Sequence, residues 1–149
     1  VSYGLISKDQ GKEMLQKYWN ELESTGFRRF DLGVPCCLRP VPPENYMRPR
    51  QDFHHYLNGG CLVSNAGILL DGLYTSGMTQ QADMILDAML KRQKEGFFPN
   101  GGGFQNGFVD DSGQGAEFMD WEGNPTGYEG HLVYSWTFLQ AMLRAELQK

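Results

Sequence analysis

The stretch "HYLNGGCLVSNAGILLDGLYTSGMTQQADMILDAM", residues 55–89, carries two apolar stripes of helical period with a short break between them. Leu62, Val63, Ala66, Leu69, Leu70 and Leu73 share one broad face of a helix predicted from about residue 60 to residue 76. "TSGMT", residues 75–79, interrupts the pattern, and Thr79 is placed to cap a second helix. In that helix Ala82, Ile85, Leu86, Met89 and Leu90 keep the period until Gly96 stops it. A connection this short leaves the two helices as antiparallel neighbours, so the segment predicts an αα-hairpin.

Working outward, the chain offers one more helix on each side. Ser7 and Gln10 have capping-box spacing, and Met14, Leu15, Tyr18, Trp19 and Leu22 form one face before Gly26 closes that helix. A last helix is predicted from near Tyr128 to the C-terminus, with Leu132, Val133, Trp136, Leu139, Met142 and Leu143 as its stripe. Two glycine- and proline-rich loops, residues 27–57 and 96–127, separate these elements. Loops of that length are usually functional. Short strands could lie in "GFRRFDL" (26–32) or "GGFQNGFVD" (102–110). The expectation is an all-α scaffold of antiparallel hairpins with a loop-built site at one rim.

Bulk properties narrow the function classes. At 149 residues and 40% hydrophobic content the chain supports one core. The net charge is −5, and basic residues gather only in "MRPRQ" and "KRQK", which argues against a nucleic-acid surface. No apolar run approaches the ~20 residues that span a bilayer, so no membrane partner is expected. The reading is a soluble protein, with cytoplasm and periplasm undecided. The start, "VSYGLISKDQ", reads as processed or truncated. Cys36, Cys37 and Cys61 are an odd set with an adjacent pair, not a disulfide framework, and they read as ordinary thiols.

Three constellations could carry chemistry. "QDFHHYLNGG" (51–60) ends at a predicted helix start. It offers His54, His55, the Tyr56 ring, the Asn58 amide, and two glycines that admit a ligand to the backbone. Adjacent histidines point in different directions, so one at most faces a site, and Asn58 has the alternative role of helix cap. "FFPNGGGFQNGFVDDSGQG" (97–115) mixes aromatics with the amides of Gln105 and Asn106, the chemistry of a sugar-binding surface. It lacks both the lysine of a phosphate loop and the ligand spacing of a calcium loop. "GAEFMDWEGNPTGYEGH" (115–131) crowds Glu117, Asp120, Glu122 and Glu129 around Trp121 and Tyr128. Asp120 and Glu122 read as solvated turn residues before "GNP", and Glu129 as a helix-start carboxylate. Glu117, bracketed by Ala116 and Phe118, is the one whose setting suits a shifted pKa and acid/base work.

On these residues the chain resembles the six-hairpin, (α/α)6-barrel glycosidases, such as amylo-α-1,6-glucosidase-like proteins, neutral invertases and trehalases. The hairpin of residues 55–89 is similar to one in which a Tyr/Trp-x-Asn-Gly-Gly segment opens an inner helix. "AEFMDWEGNPTGYEGHLVYSWTFLQAML" (116–143) looks like the C-terminal element of those families: glutamate and aromatic, a Gly/Pro turn, then the last inner helix. The resemblance covers roughly residues 27–148. Cys61 and Leu62 stand where a tryptophan and a proline are usual, which alters the subsite.

The resemblance implies an inverting glycoside hydrolase without cofactor or metal, with Glu117 as general base. It implies a sugar subsite from His55, Tyr56, Asn58, Gly59, Gln105, Asn106, Trp121, Tyr128 and Glu129. A toroid of this kind has twelve helices and this chain supplies about four, so it reads as the C-terminal third of a catalytic domain. The general acid would lie on an earlier hairpin, with Asp31 and Asp52 as substitutes within the chain. Such a third would expose apolar stripes and pair with the missing upstream part or with itself. Two other readings stand beside it: a sugar epimerase-like barrel using His54, His55 and His131, and a non-catalytic carbohydrate-binding helical domain.

Overall fold

The structure, a computed structural model, describes residues 4–46, 53–55, 57–95, 118–124 and 135–147. Over these the chain is mainly helical. Helices α1 (Lys8–Ser24), α2 (Val63–Thr75), α3 (Thr79–Lys94) and α4 (Ser135–Glu146) accompany two short strands, β1 (Val34–Pro35) and β2 (Cys61–Leu62). Single 3-10 turns lie at Phe30–Leu32 and Pro43–Asn45.

Helix α1 starts as its sequence predicts. Ser7 Oγ accepts from the Gln10 N–H at 3.2 Å, and the Ser7 N–H donates to Gln10 Oε1 at 3.0 Å. Gly26 follows the C-cap at φ 77°, a left-handed conformation open to glycine without penalty. The buried stripe is narrower than predicted, because Trp19 and Leu22 are buried while Met14 is exposed.

The predicted αα-hairpin is present, and its turn has a definite chemistry. The Gly77 N–H donates to the Tyr74 carbonyl at 3.1 Å and the Met78 N–H to the Leu73 carbonyl at 2.9 Å. That pair of bonds is a Schellman motif, with Gly77 at φ 77° as its left-handed residue. Leu73 and Met78, both buried, supply its apolar contact. Tyr74 Oη then donates to Asp83 Oδ1 at 2.8 Å, tying α2 to α3. Thr79 is the first residue of α3 rather than its cap, since the Ala82 N–H bonds the carbonyl of Met78.

Helix α2 is the hub, packing on α1, α3 and α4. Gly72 faces α1, where a Cβ would make ordinary contact with Leu15 Cδ1 at 3.5 Å. On α4, the small buried residues Ala141 and Ala145 belong to the common core, and Arg144 Nε donates to Asp71 of α2. From α1 the core continues through Phe27, Phe30, Leu32 and Val34 to Ala66, Leu70 and Leu73 of α2 and to Ala82, Ile85 and Met89 of α3.

Two of the expected element positions are corrected. Helix α2 begins at Val63, not near residue 60, because residues 60–62 are extended and paired with another segment. "GFRRFDL" holds a 3-10 turn rather than a strand, and the strands form at 34–35 and 61–62 instead. Helix α4 is described only from Ser135, so the predicted start near Tyr128 lies outside the described residues, as does the strand proposed at 102–110.

Candidate functional site

Three segments distant in sequence meet just before α2. Strands β1 and β2 pair antiparallel, with Val34 opposite Leu62 and Pro35 opposite Cys61. The Cys36 N–H extends the pairing to the Gly60 carbonyl at 2.9 Å. On the other edge, Cys61 exchanges both backbone bonds with Met119, at 2.7 and 3.1 Å. Beside the two-stranded sheet, this isolated bridge sets the "NGG" segment against residues 118–124. Phe118, the residue after Glu117, is buried at this junction.

The turn that follows is organised by Asp120. Its Oδ1 accepts from the N–H groups of Glu122, Gly123 and Asn124 at 3.0, 2.8 and 2.8 Å, and its Oδ2 accepts from Asn124 Nδ2 at 2.8 Å. Asp120 is only 6% exposed, so its reading as a solvated turn residue is corrected. Glu122 is exposed as expected. His55 Nε2 stands 3.9 Å from Asp120 Oδ2, which makes this carboxylate the acidic neighbour of the histidine pair.

Trp121 joins the turn to the "HHYLNGG" segment. Its Nε1–H donates to the Gly59 carbonyl at 2.7 Å. The His54 ring lies flat on it, centroids 3.7 Å apart and planes 3° from parallel, while Phe27 meets it edge-on at 5.0 Å. Rings therefore run in contact from the core outward: Trp19 on Phe30, Phe30 on Phe27, Phe27 on Trp121, Trp121 on His54, and His54 on Phe53. His54 has φ 65°, an uncommon left-handed conformation for a non-glycine residue. Burial lowers its pKa below the usual histidine value, against the opposing pull of Glu122 and Asp120.

Asn58 and Gly59 have structural duties here. Asn58 Oδ1 accepts from the Val41 N–H at 2.7 Å, and its Nδ2 donates to the Val41 carbonyl at 3.0 Å and to Tyr46 Oη at 2.7 Å. It does not cap α2, whose N-cap position is Leu62. Gly59 has φ 103°, and a Cβ there would come within 2.7 Å of Pro40 Cγ. This position therefore requires glycine for the fold, whatever else passes near it.

Asp31 belongs to an ion cluster. Arg29 grips it with two nitrogens at 2.9 and 3.0 Å, and Arg92 Nη1 reaches it from α3 at 2.7 Å. Arg29 Nη1 also donates to the Glu122 carbonyl at 2.9 Å, so the cluster anchors the 120–124 turn. Burial alone would raise the Asp31 pKa, but hydrogen bonds and charge from both arginines outweigh it and hold the carboxyl below its ordinary value. A general acid must be protonated before it acts. Asp31 is bonded by Arg29 and Arg92 and held below its ordinary value, which weighs against it as the substitute acid.

Of the residues named from sequence, the structure brings His54, His55, Asn58, Gly59 and Trp121 to one junction: Trp121 donates to Gly59, Asn58 bonds the loop of Val41 and Tyr46, His54 stacks on Trp121 and His55 stands near Asp120. Tyr56, Gln105, Asn106, Glu117, Tyr128, Glu129, Asp52 and His131 lie outside the described residues. Sequence reasoning missed Arg29 and Arg92; their only sequence signal is charge, and their partner is set by the fold. Among the described residues no group of three or more histidines, cysteines or carboxylates could hold a metal, and no helix is long and apolar enough to cross a membrane. Comparison with protein-family models, curated proteins and solved structures returned no match.

Proposed function

We propose that this chain is part of an (α/α) toroid glycoside hydrolase that acts with inversion, with Glu117 as its general base. One observation carries the reading: the bridge between Cys61 and Met119, beside the two-stranded sheet, joins the "NGG" segment to the residues that follow Glu117 in sequence. Those are the two elements whose combination the resemblance requires at one rim. In the reaction, the Glu117 carboxylate takes a proton from water as that water attacks the anomeric carbon, while a second carboxylic acid protonates the departing oxygen. The Asp120 turn and its arginine anchor keep the backbone that follows Glu117 in one place, as positioned catalysis demands.

The toroid needs twelve helices against the four among the described residues, and the missing helices would bring the acid, from the same polypeptide or another. Ile68 on α2 and Leu139 and Leu143 on α4 are exposed, the kind of stripe that a neighbouring hairpin covers. In the complete protein, Glu117→Gln is expected to abolish hydrolysis of its glycoside while sugar binding persists. Hydrolysis that survives the substitution removes Glu117 from this role.

One observation favours a second reading. His55 lies within 4 Å of the buried Asp120 carboxylate, and an imidazole is the group a sugar epimerase-like barrel uses to move protons. Loss of sugar isomerisation on His55→Ala would select it. Sugar binding without turnover would leave the non-catalytic carbohydrate-binding domain.

A further inference from the structure

We propose that Asn58 is a latent modification site, an Asn-Gly pair whose deamidation is held back by its bonds to the loop of Val41 and Tyr46 and, once it happens, releases that loop. The reactivity lies in the sequence, where Gly59 follows Asn58. Asparagine is a chemically labile residue, and most so before glycine, because no side chain shields the next backbone nitrogen. The Gly59 nitrogen attacks Asn58 Cγ, the side-chain nitrogen leaves as ammonia carrying the Gly59 amide proton, and a five-membered imide closes. Water then opens the imide at either carbonyl, giving aspartate or isoaspartate at position 58. The reaction consumes only water.

The fold restrains both reacting partners. Closing the ring swings Asn58 Cγ onto the Gly59 nitrogen, and three bonds oppose that swing. Asn58 Oδ1 accepts from the Val41 N–H at 2.7 Å, while Nδ2 donates to the Val41 carbonyl at 3.0 Å and to Tyr46 Oη at 2.7 Å. The amide is thus paired with both backbone groups of one residue, so rotating it loses those bonds together. Gly59 is buried, with Pro40, Cys37 and His54 around the place a Cβ would take. Its carbonyl is held by Trp121 Nε1 at 2.7 Å.

The product does not fit where the reactant sat. An amide meets Val41 with an acceptor against its N–H and a donor against its carbonyl. A carboxylate has acceptors only, so one of its oxygens would face the Val41 carbonyl across the 3.0 Å now spanned by a hydrogen bond. Isoaspartate adds a main-chain carbon just ahead of Gly59 and of the Gly60 carbonyl that accepts from Cys36. Deamidation and the loop are therefore coupled in both directions. The loop must let go before the reaction, and it does not regain the same bonds afterwards.

The test incubates the intact chain in mildly alkaline buffer, folded and in urea, and follows Asn58 by peptide mass spectrometry with heavy-oxygen water as the label. Asn100–Gly101 and Asn106–Gly107 repeat the dipeptide and calibrate the unfolded chain, where all three pairs should convert at similar rates. In the folded chain Asn58 should convert more than about tenfold slower than in urea, because local opening has to precede attack. Tyr46→Phe keeps the ring but removes one bond to the amide, so it should quicken conversion of Asn58 in the folded chain and leave the urea rate unchanged. Asn58→Asp should quicken exchange of the Val41 amide, which is bonded to Asn58 Oδ1 in the parent chain. Equal Asn58 rates in the folded and urea-unfolded chain overturn the proposal, as does a Tyr46→Phe rate equal to the parent's. A Val41 amide as protected in Asn58→Asp as in the parent overturns the release of the loop.

Discussion

Asp120→Ala removes the carboxylate that accepts the backbone N–H groups of the 120–124 turn. The carboxylate accepts three backbone N–H groups at 2.8–3.0 Å and the Asn124 amide at 2.8 Å. A hydrogen bond to an ionised acceptor contributes about 1.5–3 kcal/mol net. The full total does not apply, because Glu122 and Asn124 are exposed and their N–H groups can be rehydrated once the turn opens. The expected loss is therefore about 3 kcal/mol, or a fall in melting temperature of about 6–12 °C for a chain of this size. Asp120→Asn separates the contributions. It keeps an oxygen for the three backbone donors but sets an NH2 group against Asn124 Nδ2, so about half the loss is expected. Urea unfolding followed by circular dichroism measures both, and amide exchange at Cys61 and Met119 should quicken in step as their bridge loosens. If Asp120→Ala lies within about 0.5 kcal/mol of the parent chain, the turn does not depend on this carboxylate and the reasoning fails.

Two further outcomes follow from the same junction. Gly59→Ala forces a side chain into φ 103° and against the Pro40 ring, so it should destabilise by about 2–3 kcal/mol in urea unfolding; a neutral result would mean that the loop of Pro40 gives way freely. Asp31 has a lowered pKa, so its ionic grip is present above the unfolded carboxyl value of about 3.9 and is lost as pH falls through the folded value. The stability gap between the parent chain and Asp31→Asn should therefore be wide at pH 7 and close in acid, whereas a gap constant down to pH 2 would contradict the ion cluster.

The hairpin was legible because its information is local. The stripe from Leu62 to Leu73, the stripe from Ala82 to Met89 and the glycine between them each act over a few residues, and the structure returns the hairpin with Gly77 in its turn. The capping box at Ser7 was legible for the same reason. What misled was non-local. Strands of two residues have no alternation to read, and the pairing of 61–62 with 34–35 and of Cys61 with Met119 depends on loops folding back. That pairing delays the start of α2 and leaves Asn58 bonded to the loop of Val41 and Tyr46 instead of to the helix. Asp120 was rightly placed in a turn, but its burial comes from segments packed over it. Asp31 is held below its ordinary pKa by Arg29 and by Arg92, which reaches it from α3, a partner no spacing rule identifies.

For the candidate site, the residue types were readable and the arrangement only in part. His54, His55, Asn58, Gly59 and Trp121 were singled out from composition and resemblance and do share one junction. Their bonds to one another came from the structure alone. Asn58 and Gly59 are explained by the fold itself, which shifts the weight of the functional reading onto Glu117.

The most direct measurement of that reading is the stereochemistry of the first product formed by the complete protein, followed by proton NMR of the anomeric signals before mutarotation blurs them. The account predicts that the sugar released first carries the opposite anomeric configuration to the glycoside consumed. Release with the original configuration would contradict a general base acting through water and require a covalent nucleophile instead.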